Sequence, residues 1–159
     1  LECMKLDFTE LVLQTSAEYE EKFEERNLTE IQHLPKEKAL VYIDGRRTWR
    51  ILANLYNNAA KYAMTGSRIY TDLKVTEGAV IFSIKNISEQ PLNINADQLT
   101  ERFIRGDISR STEGSGLGLS IAQTLTEMQK GKFELYLDGD LFKATVTFPK
   151  VQEEQSTQI

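Results

Sequence analysis

The chain of 159 residues is short of several things: it has one cysteine, one histidine, three prolines and nine glycines. The lone Cys3 excludes an internal disulfide, and with His33 as the only imidazole there is no cluster of ligands for zinc or iron. No apolar run approaches the length a bilayer span needs, and no secretory signal opens the chain. Positive charge is not in excess either. A formal net charge of -5 argues against a nucleic-acid binder that works by neutralising phosphates, so any anion site has to be local.

What remains, 40% hydrophobic and 27% charged residues, suits one globular domain with a substantial core. The opening Leu1-Glu2-Cys3 lacks an initiator methionine and suggests a fragment. A cytoplasmic compartment fits best, and a membrane anchor in the missing parts of the parent stays open.

Asp7 reads as an N-cap with Glu10 three residues on, and Phe8, Leu11, Val12, Tyr19 and Phe23 follow at helical spacing. Short β-type runs, 27–32 and 39–43, flank the turn at Pro35, and Asp44 caps a second helix. A hairpin joins 68–75 to 79–85 through Thr76-Glu77-Gly78, and another joins 133–137 to 142–148 around Asp138-Gly139-Asp140. Between them 86–113 shows little periodicity and reads as a long functional loop, and a helix from about Gly116 stops at Gly131 as its C′ glycine. The tail from Val151 is polar, with frayed ends expected. Helices and antiparallel hairpins in this order predict an α/β two-layer sandwich, a mixed sheet with helices on one face.

Two stretches point to chemistry. In WRILANLYNNAAKYA, Trp49 to Ala63, Leu52, Leu55, Tyr56 and Ala59 share one helical face, while Asn54, Asn58 and Lys61 line the opposite one. A solvated face is the ordinary explanation. Yet asparagine is a mediocre helix former, and an amide oxygen is a good neutral ligand for a hard divalent cation. In GSGLGLSIAQTL, Gly114 to Leu125, three alternate glycines run into a helix, which is either a simple cap or a site where bare amides and the helix dipole receive an anion.

In that order, with ERFIRGD between them, NLYNNAAKY and GSGLGLSIA resemble the ATP-binding domain of sensor histidine kinases. The wider superfamily holds gyrase, the ninety-kilodalton heat-shock chaperone and the mismatch-repair ATPases. The resemblance covers about Asp7 to Pro149. It implies a Bergerat-type fold, a mostly antiparallel mixed sheet under about three helices, with the ATP-binding domain over 7–150, the end of a linker at 1–6 and a polar tail at 151–159. It carries Asn58 onto a Mg2+ ligand, Asn54 onto a polar neighbour of metal and phosphates, Lys61 onto a phosphate contact, and Tyr62 onto the base or sugar. Packing in the core is the competing role for Tyr62. Gly114, Gly116 and Gly118, with the amides of Ser115, Leu117 and Leu119, would receive the phosphates, because positions without side chains let the backbone approach oxygen closely. Phe103 would anchor a lid. Arg105 beside it would reach the terminal phosphates, with a solvated arginine as the alternative.

One departure stands out. The family usually follows its central hairpin with DxGxG, whose carboxylate accepts from the adenine amino group; here the stretch is IKNISEQPLN, with Asn86 in the aspartate's place and neither glycine present. A neutral amide is the weaker acceptor by up to about 1 kcal/mol, which weakens the expected hold on adenine. A second difference sorts the members: hydrolytic relatives put a general-base glutamate where Asn54 stands, and an asparagine has no basic lone pair. That favours phosphotransfer over hydrolysis.

The resemblance thus implies a protein-histidine kinase domain that passes the γ-phosphoryl of ATP to a histidine on a dimerisation domain, for relay to a response regulator. His33, in EIQHLPKE, reads as a surface turn residue and not as the phosphoacceptor. Alone the domain is expected to be a monomer that binds ATP without phosphorylating itself, within a homodimeric parent. Two alternatives remain open, a degenerate module of the same fold kept for protein contacts, and a serine/threonine kinase of the anti-sigma type.

Overall fold

The computed structural model describes residues 1–92 and 115–152. The elements run β1 (Cys3–Asp7), α1 (Phe8–Glu25), β2 (Thr29–His33), β3 (Leu40–Asp44), α2 (Gly45–Tyr62), β4 (Arg68–Val75), β5 (Ala79–Ile87), α3 (Ser115–Met128), β6 (Lys132–Asp138) and β7 (Leu141–Pro149). Five strands form one sheet in the order β2-β4-β5-β7-β6, in which only β2 and β4 are parallel. The three helices pack on one face of this mixed sheet, as the two-layer reading expects.

Alternation builds the core. Along β7 every second residue, Phe142, Ala144, Val146 and Phe148, is buried, and β5 answers with Val80, Phe82 and Ile84. Phe8 opens α1 between Phe82 and Phe148, with both ring centroids 6.1 Å away. Tyr56 of α2 is fully buried, stacked on Phe23 at 5.9 Å and on Phe82 at 6.4 Å. Leu119, Ala122 and Leu125 bring α3 to the same core. Among the described residues no helix is long and apolar enough to cross a membrane.

The predicted caps are present at both helix starts. Asp7 accepts from Thr9 N at 3.1 Å, and Asp44 accepts from Arg47 N at 3.0 Å. Asp44 also receives Glu2 N at 2.9 Å and the Arg47 guanidinium at 2.8 Å, and these donors hold its carboxyl well below the usual range.

The helix ends differ from the sequence reading. Asn27, placed in a strand, instead has φ +58 and closes α1: its N–H bonds Glu24 O, and Leu28 N bonds Phe23 O at 2.8 Å. This is a Schellman closure with Leu28 and Phe23 both buried beside it. At the end of α3 the left-handed residue is Lys130, φ +64, and not Gly131. Lys130 N bonds Glu127 O and Gly131 N bonds Thr126 O. Gly131 is required for space: a Cβ there would lie 2.6 Å from Phe148 Cε1 and 2.9 Å from Thr126 Cγ2.

Three further assignments shift. Residues 3–7, mostly within the expected linker, form β1 and pair antiparallel with β3. His33 is the last residue of β2 and not a turn residue, because parallel pairing with Asp72 carries the strand to it; its Nδ1 lies 2.8 Å from Asp72 Oδ1. The start of the tail is tied back, Val151 N to Leu40 O at 2.9 Å.

Candidate functional site

Helix α2 is the axis of the site. Its core face is the predicted one, since Ile51, Leu52, Leu55, Tyr56 and Ala59 are all buried. The predicted polar row is not simply solvated: Asn54 and Asn58 are half-buried, and Lys61 is exposed in the last turn. The side-chain nitrogen of Asn54 is buried without a hydrogen-bond partner among the described residues.

Opposite Asn54 stands the second motif. The helix α3 begins at Ser115, so Gly116 and Gly118 sit in its first turn and not in a loop ahead of it. Glycine in a helix costs about 1 kcal/mol against alanine, a cost offset where close approach is needed. At Gly118 a Cβ would face Asn54 Cβ at 4.0 Å, which places the amide row and the glycine turn side by side. The first four N–H groups of a helix lack intrahelical partners, which here are those of Ser115 to Gly118. Leu119 follows them, and its side chain is 2% exposed and belongs to the core.

The far end of α2 meets the end of β5. Met64 N bonds Ile87 O and Glu89 N bonds Tyr62 O, both at 2.8 Å, and Ala63 bridges Ser88. Tyr62 is half-buried there. Asn86 lies on the helix-facing side of β5, 3% exposed, and its side-chain nitrogen also lacks a partner among the described residues. Eight residues of helix separate Asn54 from Tyr62, about 12 Å. Of the predicted site residues, then, Asn54, Asn58, Lys61, Tyr62, Asn86 and Ser115 to Leu119 lie within the described residues. Phe103, Arg105 and Gly114 fall outside them.

Two supports carried no sequence signal. Gln129, buried, accepts from Asp44 N at 2.7 Å and donates to Thr48 Oγ1 and Leu125 O, and so ties the end of α3 to the start of α2. Arg26, beyond α1, donates to Ala60 O in the last turn of α2 at 2.7 Å and to Thr65 and Glu89. Glu89 also accepts from Thr65 N and Oγ1; those bonds and the guanidinium hold its carboxyl below its usual range. A lone glutamine or arginine just beyond a helix end gives no periodic signal.

The sensor kinase SaeS of Staphylococcus aureus is 31% identical over 156 residues, which is 94% of this chain and 44% of SaeS. The chain spans less than half the length of the sequence relatives it matches. Among solved structures, the catalytic domain of the histidine kinase ThkA superposes with a TM-score of 0.81 at 24% identity, over 94% of this chain and 97% of that one. Full-length ShkA, solved in complex with AMPPNP, gives a TM-score of 0.77 at 20% identity over 96% of this chain and 32% of ShkA. The profile of one family runs over residues 43–156, from the cap of α2 through both motifs that meet at Asn54 and Gly118, and the chain belongs to that family, the Histidine kinase-, DNA gyrase B-, and HSP90-like ATPases.

Proposed function

We propose that the domain binds Mg2+-ATP between the polar face of α2 and the first turn of α3, and donates the γ-phosphoryl to a histidine on a dimerisation domain of the same protein. The phosphoryl then passes to a response regulator. The observation that carries this reading is Asn54, whose side-chain nitrogen is buried without a partner among the described residues and whose Cβ faces Gly118. Buried polar atoms are rarely left unpaired, and a bound phosphate oxygen would supply the acceptor this nitrogen can use.

The residues fit a nucleotide and its ion. Asn58, one turn beyond Asn54, supplies the amide oxygen for a divalent cation, which when bound neutralises phosphate charge. Lys61 matches phosphate as a point charge. The free N–H groups at the start of α3, and the positive end of its dipole, fix anionic oxygens without side chains in the way. Tyr62 and Asn86, at the other end of α2, suit the base end. The amide of Asn54 is too weakly basic to take a proton from water, so the site orients a donor and does not hydrolyse it. The acceptor histidine comes from elsewhere: His33 is held at the outer strand β2 by Asp72. The parent protein is read as a membrane-anchored homodimer with this domain on the cytoplasmic side, where ATP is available. Kinase names among the sequence relatives and AMPPNP in ShkA support the reading.

One observation favours a degenerate interaction module instead: Asn86, Ser88 and Gln90 stand where the resemblance expects an aspartate and two glycines. Titration calorimetry with a non-hydrolysable ATP analogue and Mg2+ separates the two. Binding in the micromolar to submillimolar range that drops at least about tenfold in Asn58→Ala, a loss of about 1.4 kcal/mol, supports the kinase domain. No binding at millimolar nucleotide supports the module. Phosphotransfer in trans to a histidine-bearing helical domain, and none to a protein serine, sets it apart from an anti-sigma kinase.

A further inference from the structure

We propose that Asn86 makes this domain accept 6-oxopurine nucleoside triphosphates alongside ATP, an inference that rests on the nucleotide reading above. Asn86 ends the buried row Val80, Phe82, Ile84, Asn86 along β5, so its side chain faces the helices and not the open side of the sheet. It is 3% exposed, and its nitrogen has no acceptor among the described residues. A buried amide donor left without a partner costs about 1–3 kcal/mol, and an acceptor on a bound ligand would remove that cost at Asn86.

The chemistry of that ligand follows from the amide. An ionised carboxylate only accepts, so it suits the 6-amino group of adenine and repels the 6-oxo group of hypoxanthine or guanine. A primary amide carries one acceptor and one donor side by side. Facing adenine, its oxygen takes the 6-amino proton and its nitrogen donates to N1. Rotated by half a turn, the nitrogen donates to a 6-oxo oxygen and the oxygen accepts from N1–H. Both pairings use two bonds, so neither base is rejected by this residue. The nearest carboxylate in sequence does not restore the discrimination. Glu89 is taken up by Thr65 N, Thr65 Oγ1 and Arg26, and its backbone N–H is bonded to Tyr62 O.

The probe is inosine triphosphate, which differs from ATP at the purine 6-position and N1 and lacks the 2-amino bulk of guanine. Affinities of ATP and inosine triphosphate, each with Mg2+, are measured on the whole chain by calorimetry or by displacement of a fluorescent analogue. The expected result is a ratio of dissociation constants within about tenfold, that is about 1.4 kcal/mol. A site that rejects the 6-oxo base by more than that overturns the proposal. In Asn86→Asp the ratio is expected to move at least about tenfold towards ATP, and an unchanged ratio in a folded variant also overturns it. Should the buried carboxylate prevent folding, the wild-type ratio alone decides. Loss of both nucleotides together is a different outcome, which removes the nucleotide reading itself.

Discussion

Two polar regions flank helix α2, and they are built in opposite ways. On the β2 side, the carboxylate of Glu30 receives Ser16 Oγ, Tyr56 Oη and Thr71 Oγ1, each at 2.7 Å, and Gln32 Nε2 at 3.1 Å. Donors from α1, α2, β2 and β4 thus meet on one group. On the α3 side, the side-chain nitrogens of half-buried Asn54 and buried Asn86 are themselves buried and meet nothing among the described residues. A saturated buried network rigidifies and positions elements; a buried group left open is a cost that a bound ligand can remove. The same helix carries architecture on one flank and, on the other, the surface proposed to bind nucleotide.

The contrast yields tests with opposite signs. The largest effect is expected at the saturated side. Glu30→Ala leaves the buried hydroxyls of Tyr56 and Thr71 without acceptors, a cost of about 2–4 kcal/mol in urea unfolding, with nucleotide affinity little changed at low temperature. A loss under about 1 kcal/mol would mean the hub is not structural. At the open side, Asn54→Leu removes an unpaired amide and inserts a better helix former. Stability is expected to rise by about 1 kcal/mol while Mg2+-ATP affinity falls at least about tenfold. A destabilised Asn54→Leu that still binds nucleotide normally would erase the distinction between the two flanks.

Gly118→Ala gives a smaller effect of the same kind. The added Cβ faces Asn54 Cβ at 4.0 Å, an ordinary contact, so helix propensity dominates and stability rises by about 0.5–1 kcal/mol, a shift of about 2–3 °C in melting temperature. Nucleotide affinity falls several-fold as the backbone is held away. The smallest effect lies in alkali. Burial first, and then the Glu30 carboxylate, push the Tyr56 phenol far above its ordinary range. Below about pH 10 the phenol is neutral in both states; above it the unfolded chain loses a proton that the folded chain keeps, so stability falls as pH rises. Unfolding free energy against pH is expected to fall less steeply above pH 10 in Tyr56→Phe, and an identical slope would sever Tyr56 from the effect.

Local chemistry in the sequence marked the elements that could be read without neighbours. Asp7 and Asp44 cap their helices, Gly139 with φ +61 turns the last hairpin, and the alternation of β7 declares its inner face. The closures at Asn27 and Lys130 were missed because a non-glycine in the left-handed region is fixed by the packing of Leu28 and Gly131, not by its own preference. Strand β1 was missed because five residues gain order only from pairing with β3. Glu30, Gln129 and Arg26 were invisible because each has key partners far along the chain: Tyr56, 26 residues from Glu30; Ala60, 34 from Arg26; and Asp44, 85 from Gln129.

By itself the sequence determined the fold class and the two motifs, since periodicity, caps and glycine spacing act over a few residues. Only the tertiary structure decided that Asn54 lies against Gly118, and that the amide nitrogens of Asn54 and Asn86 find no partner among the described residues while the hydroxyls on the other flank are satisfied. Whether a polar group is paired depends on what the fold brings within hydrogen-bonding distance, about 3 Å, and no local pattern encodes that.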